Sequence, residues 1–224
     1  TARAAGMDIP EVQLLAPTRI QGLPNMAGFR PGEPFYAIRR FDRPEGGRIH
    51  VEDFAQVFNL RTHQKYGRVN YDMIGRTLLV YAGGLPDLKE MARRLVFNVL
   101  MGNGDAHIKN WALIYDNPLR PRLAPAYDLV STVAYTTHDT SVALNMAGVK
   151  LFQVITLDTF AHLFSRTGIV DPVREPGMAE VRVVGRRVLD VWRSQFQAVG
   201  VPEHLVQKVE THQAKLPLAK GLQG

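Results

Sequence analysis

The chain contains no cysteine. That excludes disulfides and thiolate metal sites, and it fits a protein of the reducing cytoplasm. There is no run of about 18 apolar residues, so no membrane-spanning helix is expected. No charged-then-apolar segment opens the chain, so no secretory signal is expected. Internal repeats and low-complexity tracts are absent. Glycine pairs occur only at Gly46-Gly47 and Gly83-Gly84. Neither stands in a strand–loop–helix phosphate cradle, and both read as turns. The seven histidines show no H-x-x-x-H metal spacing. His204 and His212, eight apart, read as surface residues.

What is present is an ordinary globular composition. The 224 residues are 46% hydrophobic, enough for one domain or two small ones. Net charge is +6 and the pI about 9.7. That balance favours anionic partners: nucleotide, nucleic acid or an acidic protein surface. On charge alone, a solvated basic surface is the plainer reading.

One stretch organises the rest. Leu88, Met91, Ala92, Leu95, Val96, Val99 and Leu100 recur at helical spacing. Gly102 and Gly104 break the pattern and put Asp105 in a tight loop at a helix end. Trp111 to Tyr115 is an apolar run closed by Asp116-Asn117-Pro118, which predicts a buried strand. A second strand around Arg122 to Ala124 would pair with it. The hairpin would bring Asp105, Asn110 and Asp128 together.

Two carboxylates and a carboxamide in a loop–hairpin–loop unit suit phosphoryl transfer with a metal. One Asp takes the proton of the attacking hydroxyl. Asn and the other Asp offer hard oxygens to Mg²⁺, which needs few protein ligands beside phosphates and water. Protein kinases place Asn five residues after the catalytic Asp, and Asp105 and Asn110 stand in that relation. The spacing alone leaves another reading open, with Asp105, Asn110 and Asp128 serving local turns.

The run Gly104-Asp105-Ala106-His107-Ile108-Lys109-Asn110, with Leu123-Ala124-Pro125-Ala126-Tyr127-Asp128-Leu129-Val130-Ser131-Thr132, closely resembles the HipA-like C-terminal domain. Arg39-Arg40-Phe41-Asp42-Arg43 and Glu52-Asp53-Phe54-Ala55-Gln56 also resemble that family. Its members are bacterial serine/threonine kinases, many of them toxins of toxin–antitoxin pairs. The resemblance implies a protein-kinase-like α+β fold, mostly helical, with a small sheet or hairpin near the active site. It implies ATP and Mg²⁺ as cofactors, Asp105 as the catalytic base, and Asn110 and Asp128 on the metal. Arg39, Arg40 and Phe41 would line the adenine site at a hinge, and Tyr127 would also meet the nucleotide. His107 and Lys109 would reach its phosphates, where a point charge stabilises a transferring phosphoryl group. The family's usual acidic residue near Arg39 is missing, which leaves only backbone contacts implied there. The implied partners are a protein substrate, in some members an aminoacyl-tRNA synthetase, and a HipB-like helix-turn-helix antitoxin that carries DNA contact. No membrane partner is implied.

The domain reading that follows is a partial N-lobe and hinge over residues 1–45, cut upstream, and a helical C-lobe over residues 46–224 with its catalytic block at 102–132. Thr1 to Gly6 reads as the tail of a helix already under way. The family's glycine-rich loop and nucleotide-binding lysine are not seen, so this stretch alone is expected to transfer no phosphate. Two other functions remain open: transfer to a small molecule or lipid, and a silent binding module working through an antitoxin-like DNA-binding partner.

The remaining elements follow from pattern. Val12 to Leu15 and Phe35 to Phe41 predict strands, the second mostly buried. Residues 22–34 predict a loop, and Val51 to Phe58 a helix with an acidic first turn. Arg61 to Arg68 reads as a basic loop before helices at Tyr71 to Tyr81 and from Leu85-Pro86 onward. Thr136 to Thr140 reads as polar turns. Thr156 should cap a helix bearing Leu157, Phe160, Ala161 and Phe164. A long amphipathic helix over Val181 to Phe196 and one last helix over Leu205 to Leu216 complete the chain.

Overall fold

The computed structural model describes residues 1–22, 32–60, 69–135, 139–167 and 174–224. Arg61 to Arg68 therefore lies outside the described residues, as do most of 22–34 and of Thr136 to Thr140. The fold is α+β, mostly helical, with three small antiparallel sheets. Among the described residues no helix is long and apolar enough to cross a membrane.

The chain enters through a single helical turn that Gly6 ends at φ +86°. Strands β1 (Val12–Leu15) and β2 (Phe35–Ile38) pair with Val12 opposite Ile38. The expectation of a mostly buried β2 is corrected. Among the described residues nothing covers the second face of this two-stranded sheet, so Tyr36 is 66% exposed while Phe35 and Ala37 are half-buried.

Strand β3 (Val51–Asp53) leads into the short helix α1 (Phe54–Val57). This also corrects the sequence reading, which ran one helix from Val51. Asp53 is not in the first turn but caps it, accepting from Gln56 N, while the Gln56 side chain accepts from Asp53 N. β3 then becomes free to pair with β4 (Ala112–Ile114), which pairs with β5 (Arg122–Leu123). The expected hairpin is thus present and extended by a third strand.

Helices α2 (Tyr71–Tyr81) and α3 (Leu85–Met101) match their predicted spans. Asn70 caps α2, its side chain accepting from Met73 N. α3 is the axis of the molecule and packs against α2 and α5 (Arg174–Ala198). Its seven predicted core residues are all essentially buried. Asp87, Glu90, Arg94 and Asn98 are also buried, at intervals of three, four and four. They form a buried polar stripe beside the apolar face of the helix, and a buried polar stripe must find partners.

Two departures occur in the C-terminal half. The segment after Asp139 folds as a hairpin, β6 (Ser141–Met146) and β7 (Val149–Leu151), for which the sequence pattern predicts no strands. Its two turn residues, Ala147 at φ +51° and Gly148 at φ +86°, take the left-handed conformations that a tight hairpin needs. The Ala147 N–H donates to Asp72 on α2, which ties the turn down. The expected last helix is two, α6 (Glu203–Ala214) and α7 (Pro217–Gln223). Pro217 starts α7 because proline favours the first turn and denies helical backbone to the residue before it. Between these, α4 (Leu157–Arg166) begins at the predicted Thr156 cap.

Candidate active site

α3 ends at Gly102, in the left-handed conformation at φ +66° with its N–H on the Asn98 and Val99 carbonyls. The chain then turns back, and Asn103 N donates to Asn98 O at 2.8 Å. The Asn103 side chain is 1% exposed and joins three parts of the site. Its Oδ1 accepts from Asp105 N at 3.1 Å, and its Nδ2 donates to Asn98 Oδ1 at 3.2 Å and to Asp128 O at 3.4 Å. Gly104 N donates to Thr132 Oγ1 at 2.8 Å, and that hydroxyl donates to Gly102 O at 3.1 Å.

The residue after Asp105 is clamped from below. Ala106 O accepts from Tyr71 Oη at 2.9 Å and from Trp111 Nε1 at 3.2 Å. Both rings are buried and meet edge-on at 5.7 Å. Burial pushes the Tyr71 hydroxyl well above its ordinary pKa, so it stays a proton donor. Asp105 itself is exposed at the rim of this rigid base.

A 3-10 turn over Ile108–Asn110 carries the chain into β4. Asn110 Nδ2 donates to Asp105 O at 2.9 Å and to Asp128 Oδ2 at 2.8 Å. The three residues predicted to meet do so, linked through one carboxamide. Asp128 adopts φ +57°, a left-handed conformation that Asp tolerates better than most residues.

α3's polar stripe sets the strand that delivers Asp128. Asp87 Oδ2 accepts from Leu123 N at 2.6 Å and from Gly83 N at 2.9 Å. Burial raises the Asp87 carboxyl above its usual range, and these N–H groups oppose the shift. Arg94, 3% exposed, donates to Glu90 Oε1 at 2.9 Å and to Ala124 O at 2.7 Å. Burial lowers its pKa against the pull of Glu90. Asp87, Arg94 and Asn103 escaped the sequence reading. Polar residues at helical spacing among core positions were the available signal.

Tyr127 sits where three clefts meet. Its hydroxyl donates to Lys109 O at 2.8 Å, and burial raises its pKa. On one side, Arg39, Arg40, Phe41 and Tyr127 line a cleft of about 250 Å³. The Phe41 and Tyr127 rings lie 6.0 Å apart there. The expected hinge residues therefore converge with Tyr127, but their polar groups are partly committed. Arg39 N donates to Glu11 O at 2.9 Å, and the Arg40 guanidinium is held by Asp42 at 2.6 and 2.7 Å. On a second side, Tyr36, Met101 and Asp128 share a cleft of about 220 Å³. The Asp128 charge, after burial, helps raise the Tyr36 pKa. The third holds Lys109 and several arginines. His107 is half-buried at the start of the 3-10 turn.

The donor set suits Mg²⁺ carried by a nucleotide. Asn110 spends its Nδ2 on two oxygens, which leaves its Oδ1 and the Asp128 carboxylate as hard ligands. Among the described residues no three His, Asp or Glu side chains cluster into a metal cage. His212, read as a surface residue, is instead half-buried. Its Nε2 lies 2.8 Å from Val99 O and its ring meets Phe152 edge-on.

A helical body with a three-stranded sheet beside a loop holding Asp105, Asn110 and Asp128 defines a protein-kinase-like α+β fold. A solved HipA from Shewanella oneidensis, in a structure of a toxin–antitoxin complex with HipB and operator DNA, shares it. The TM-score is 0.72 at 20% identity, covering 96% of this chain and 52% of that one. The model of the HipA-like C-terminal domain matches residues 1–192, and the chain belongs to that family. Two relatives from Sinorhizobium fredii carry the names "Putative kinase Y4dM" and "Putative kinase Y4mE". The first is 38% identical over 216 residues, 94% of this chain and 50% of its own length. The second is 32% identical over 207 residues, 88% of this chain and 44% of its own. The chain thus spans about half the length of these relatives.

Proposed function

We propose that the chain carries the catalytic loop and metal-binding residues of a HipA-type serine/threonine kinase. The observation that carries this reading is the Asn110 carboxamide bridging Asp105 O and the Asp128 carboxylate. It brings Asp105, Asn110 and Asp128 to one place, which supports reading them as base and metal pair for phosphoryl transfer. Asp105, exposed on its clamped loop, takes the proton of a serine or threonine hydroxyl as that oxygen attacks the γ-phosphorus of ATP. ADP is the leaving group. Asn110 and Asp128 would hold Mg²⁺, and the metal would neutralise charge on the phosphates. Phe41 and Tyr127 cover the adenine, while Lys109 and His107 face the phosphate side. Residues 1–45 supply the hinge and 46–224 the catalytic lobe. The names of the relatives support the kinase reading, and the HipB complex of the Shewanella protein supports an antitoxin partner that carries DNA contact. The reaction is placed in the cytoplasm, where ATP is abundant.

Asp105→Asn and Asp128→Asn in the complete polypeptide test the assignment, because asparagine keeps the left-handed conformation of residue 128 accessible. Both should abolish transfer to protein acceptors. Asp105→Asn should leave Mg²⁺-dependent ATP affinity within about twofold and stability within about 1 kcal/mol. Asp128→Asn should weaken Mg²⁺-ATP binding in calorimetry. The opposite pattern would exchange the two roles. Transfer to small molecules or lipids alone would replace the protein acceptor.

A further inference from the structure

The third cleft at Tyr127, about 610 Å³, is strongly basic. Arg40, Arg43, Arg48, His50 and Lys109 line it, from the hinge, the following loop and the catalytic turn. Asp42 and Asp53 also line it, but both carboxylates are engaged. Asp42 is buried and holds Arg40 and Arg43 together, two cations on one anion, and the Arg40 pairing keeps its carboxyl below the usual range. Asp53 caps α1. His50 is paired with Glu52 at 3.7 Å. Among the described residues, Arg48 and Lys109 make no ion pair. The cleft therefore carries excess positive charge, and a buried carboxylate fixes part of its wall.

Nucleotide phosphates account for Lys109 but not for Arg43 and Arg48. The metal that would carry those phosphates is assigned to Asn110 and Asp128, which do not line the cleft. The acceptor does account for the arginines. Lys109 lies four residues after Asp105, and Asn110 touches the Asp105 carbonyl. An extended peptide advances about 3.3 Å per residue. Side chains a few residues from a hydroxyl at Asp105 would then pass over Lys109, which lines the cleft. The cleft suits short carboxylate side chains better than a polynucleotide. Its two carboxylates interrupt any continuous track for phosphates, and its rings are already packed, His50 on Tyr115 at 5.0 Å and Tyr127 on Phe41.

We propose that this cleft is the acceptor-specificity site, and that it selects serine or threonine segments flanked by Asp or Glu. The inference rests on the kinase reading for its catalytic part, while its binding part stands apart from activity.

The test uses two peptides with one serine each, flanked by glutamates or by lysines. Fluorescence anisotropy on the chain at low salt should show the glutamate peptide binding about tenfold tighter, the sum of a few exposed pairs. Arg48→Glu should weaken that binding about fivefold or more, and Arg48→Lys should restore most of it. In the complete polypeptide Arg48→Glu should raise KM for the glutamate peptide and leave KM for ATP unchanged. Equal affinity for the two peptides would overturn the proposal. So would a rise in KM for ATP alone, or a single-stranded RNA oligomer that binds tighter than the glutamate peptide and shows the same dependence on Arg48. Charge-selective binding without transfer to any acceptor would instead defeat the kinase reading and leave the site assignment standing.

Discussion

Gly102 is the position where one added methyl group would disturb most of the site. At φ +66° any L residue other than glycine costs about 1–2 kcal/mol. A Cβ built there would lie 2.3 Å from Val133 Cγ2 and 2.7 Å from Val133 Cγ1. Such an overlap forces Val133 to move, and overpacking of this kind costs about 1–3 kcal/mol. Val133 cannot move freely, since its N–H donates to Gly102 O at 3.2 Å. Gly102→Ala is therefore expected to lose about 2–5 kcal/mol by urea unfolding, a fall in Tm of about 4–20 °C for a chain this long. The two causes can be separated. Val133→Ala removes the overlap but not the backbone strain. The double variant should recover the overpacking part, a coupling of about 1–3 kcal/mol in a double-mutant cycle. Because Thr132 and Gly104 hang on the same turn, Gly102→Ala should also lower phosphoryl transfer in the complete polypeptide. A Gly102→Ala variant within about 0.5 kcal/mol of the parent, or one strictly additive with Val133→Ala, would refute the reasoning.

Two further outcomes are expected. Arg94→Met should cost about 3 kcal/mol, the low end for a broken buried pair, because Arg93 still reaches Glu90 at 3.2 Å. Its double variant with Glu90→Leu should recover much of that loss in urea titration, and no recovery would show that the Ala124 O contact dominates. His212 predicts a pH dependence. Burial lowers its pKa below 6.5, against the hydrogen bond to Val99 O, so the folded state favours the neutral ring. Its contribution should be complete above pH 6.5 and be lost as pH falls from there through the folded-state value. The urea midpoint of His212→Gln should fall less than that of the parent between pH 8 and pH 5, and parallel curves would remove His212 as a cause.

Much of this protein was legible in its sequence, because local chemistry decides local structure. The apolar spacing of Leu88 to Leu100 set α3, Gly102 set its end, and Thr156 set the start of α4. The Asp105–Asn110 spacing and the strand pair predicted a meeting with Asp128, and the Asn110 hydrogen bonds show it. Other features depended on partners distant in sequence. Val51 to Asp53 could become a strand only because β4 lies beside it. The hairpin at Ala147-Gly148 holds a strained turn that Asp72, 75 residues away, ties down. The polar stripe of Asp87, Arg94 and Asn98 acquires its role only when Leu123, Ala124 and Asn103 are placed against it. His212 reads as surface until Val99 and Phe152 are placed against it. The chemistry-bearing residues were chosen by sequence spacing. The buried network that holds them at bonding distance was decided by tertiary structure, because a polar group's partner is set by which elements pack together.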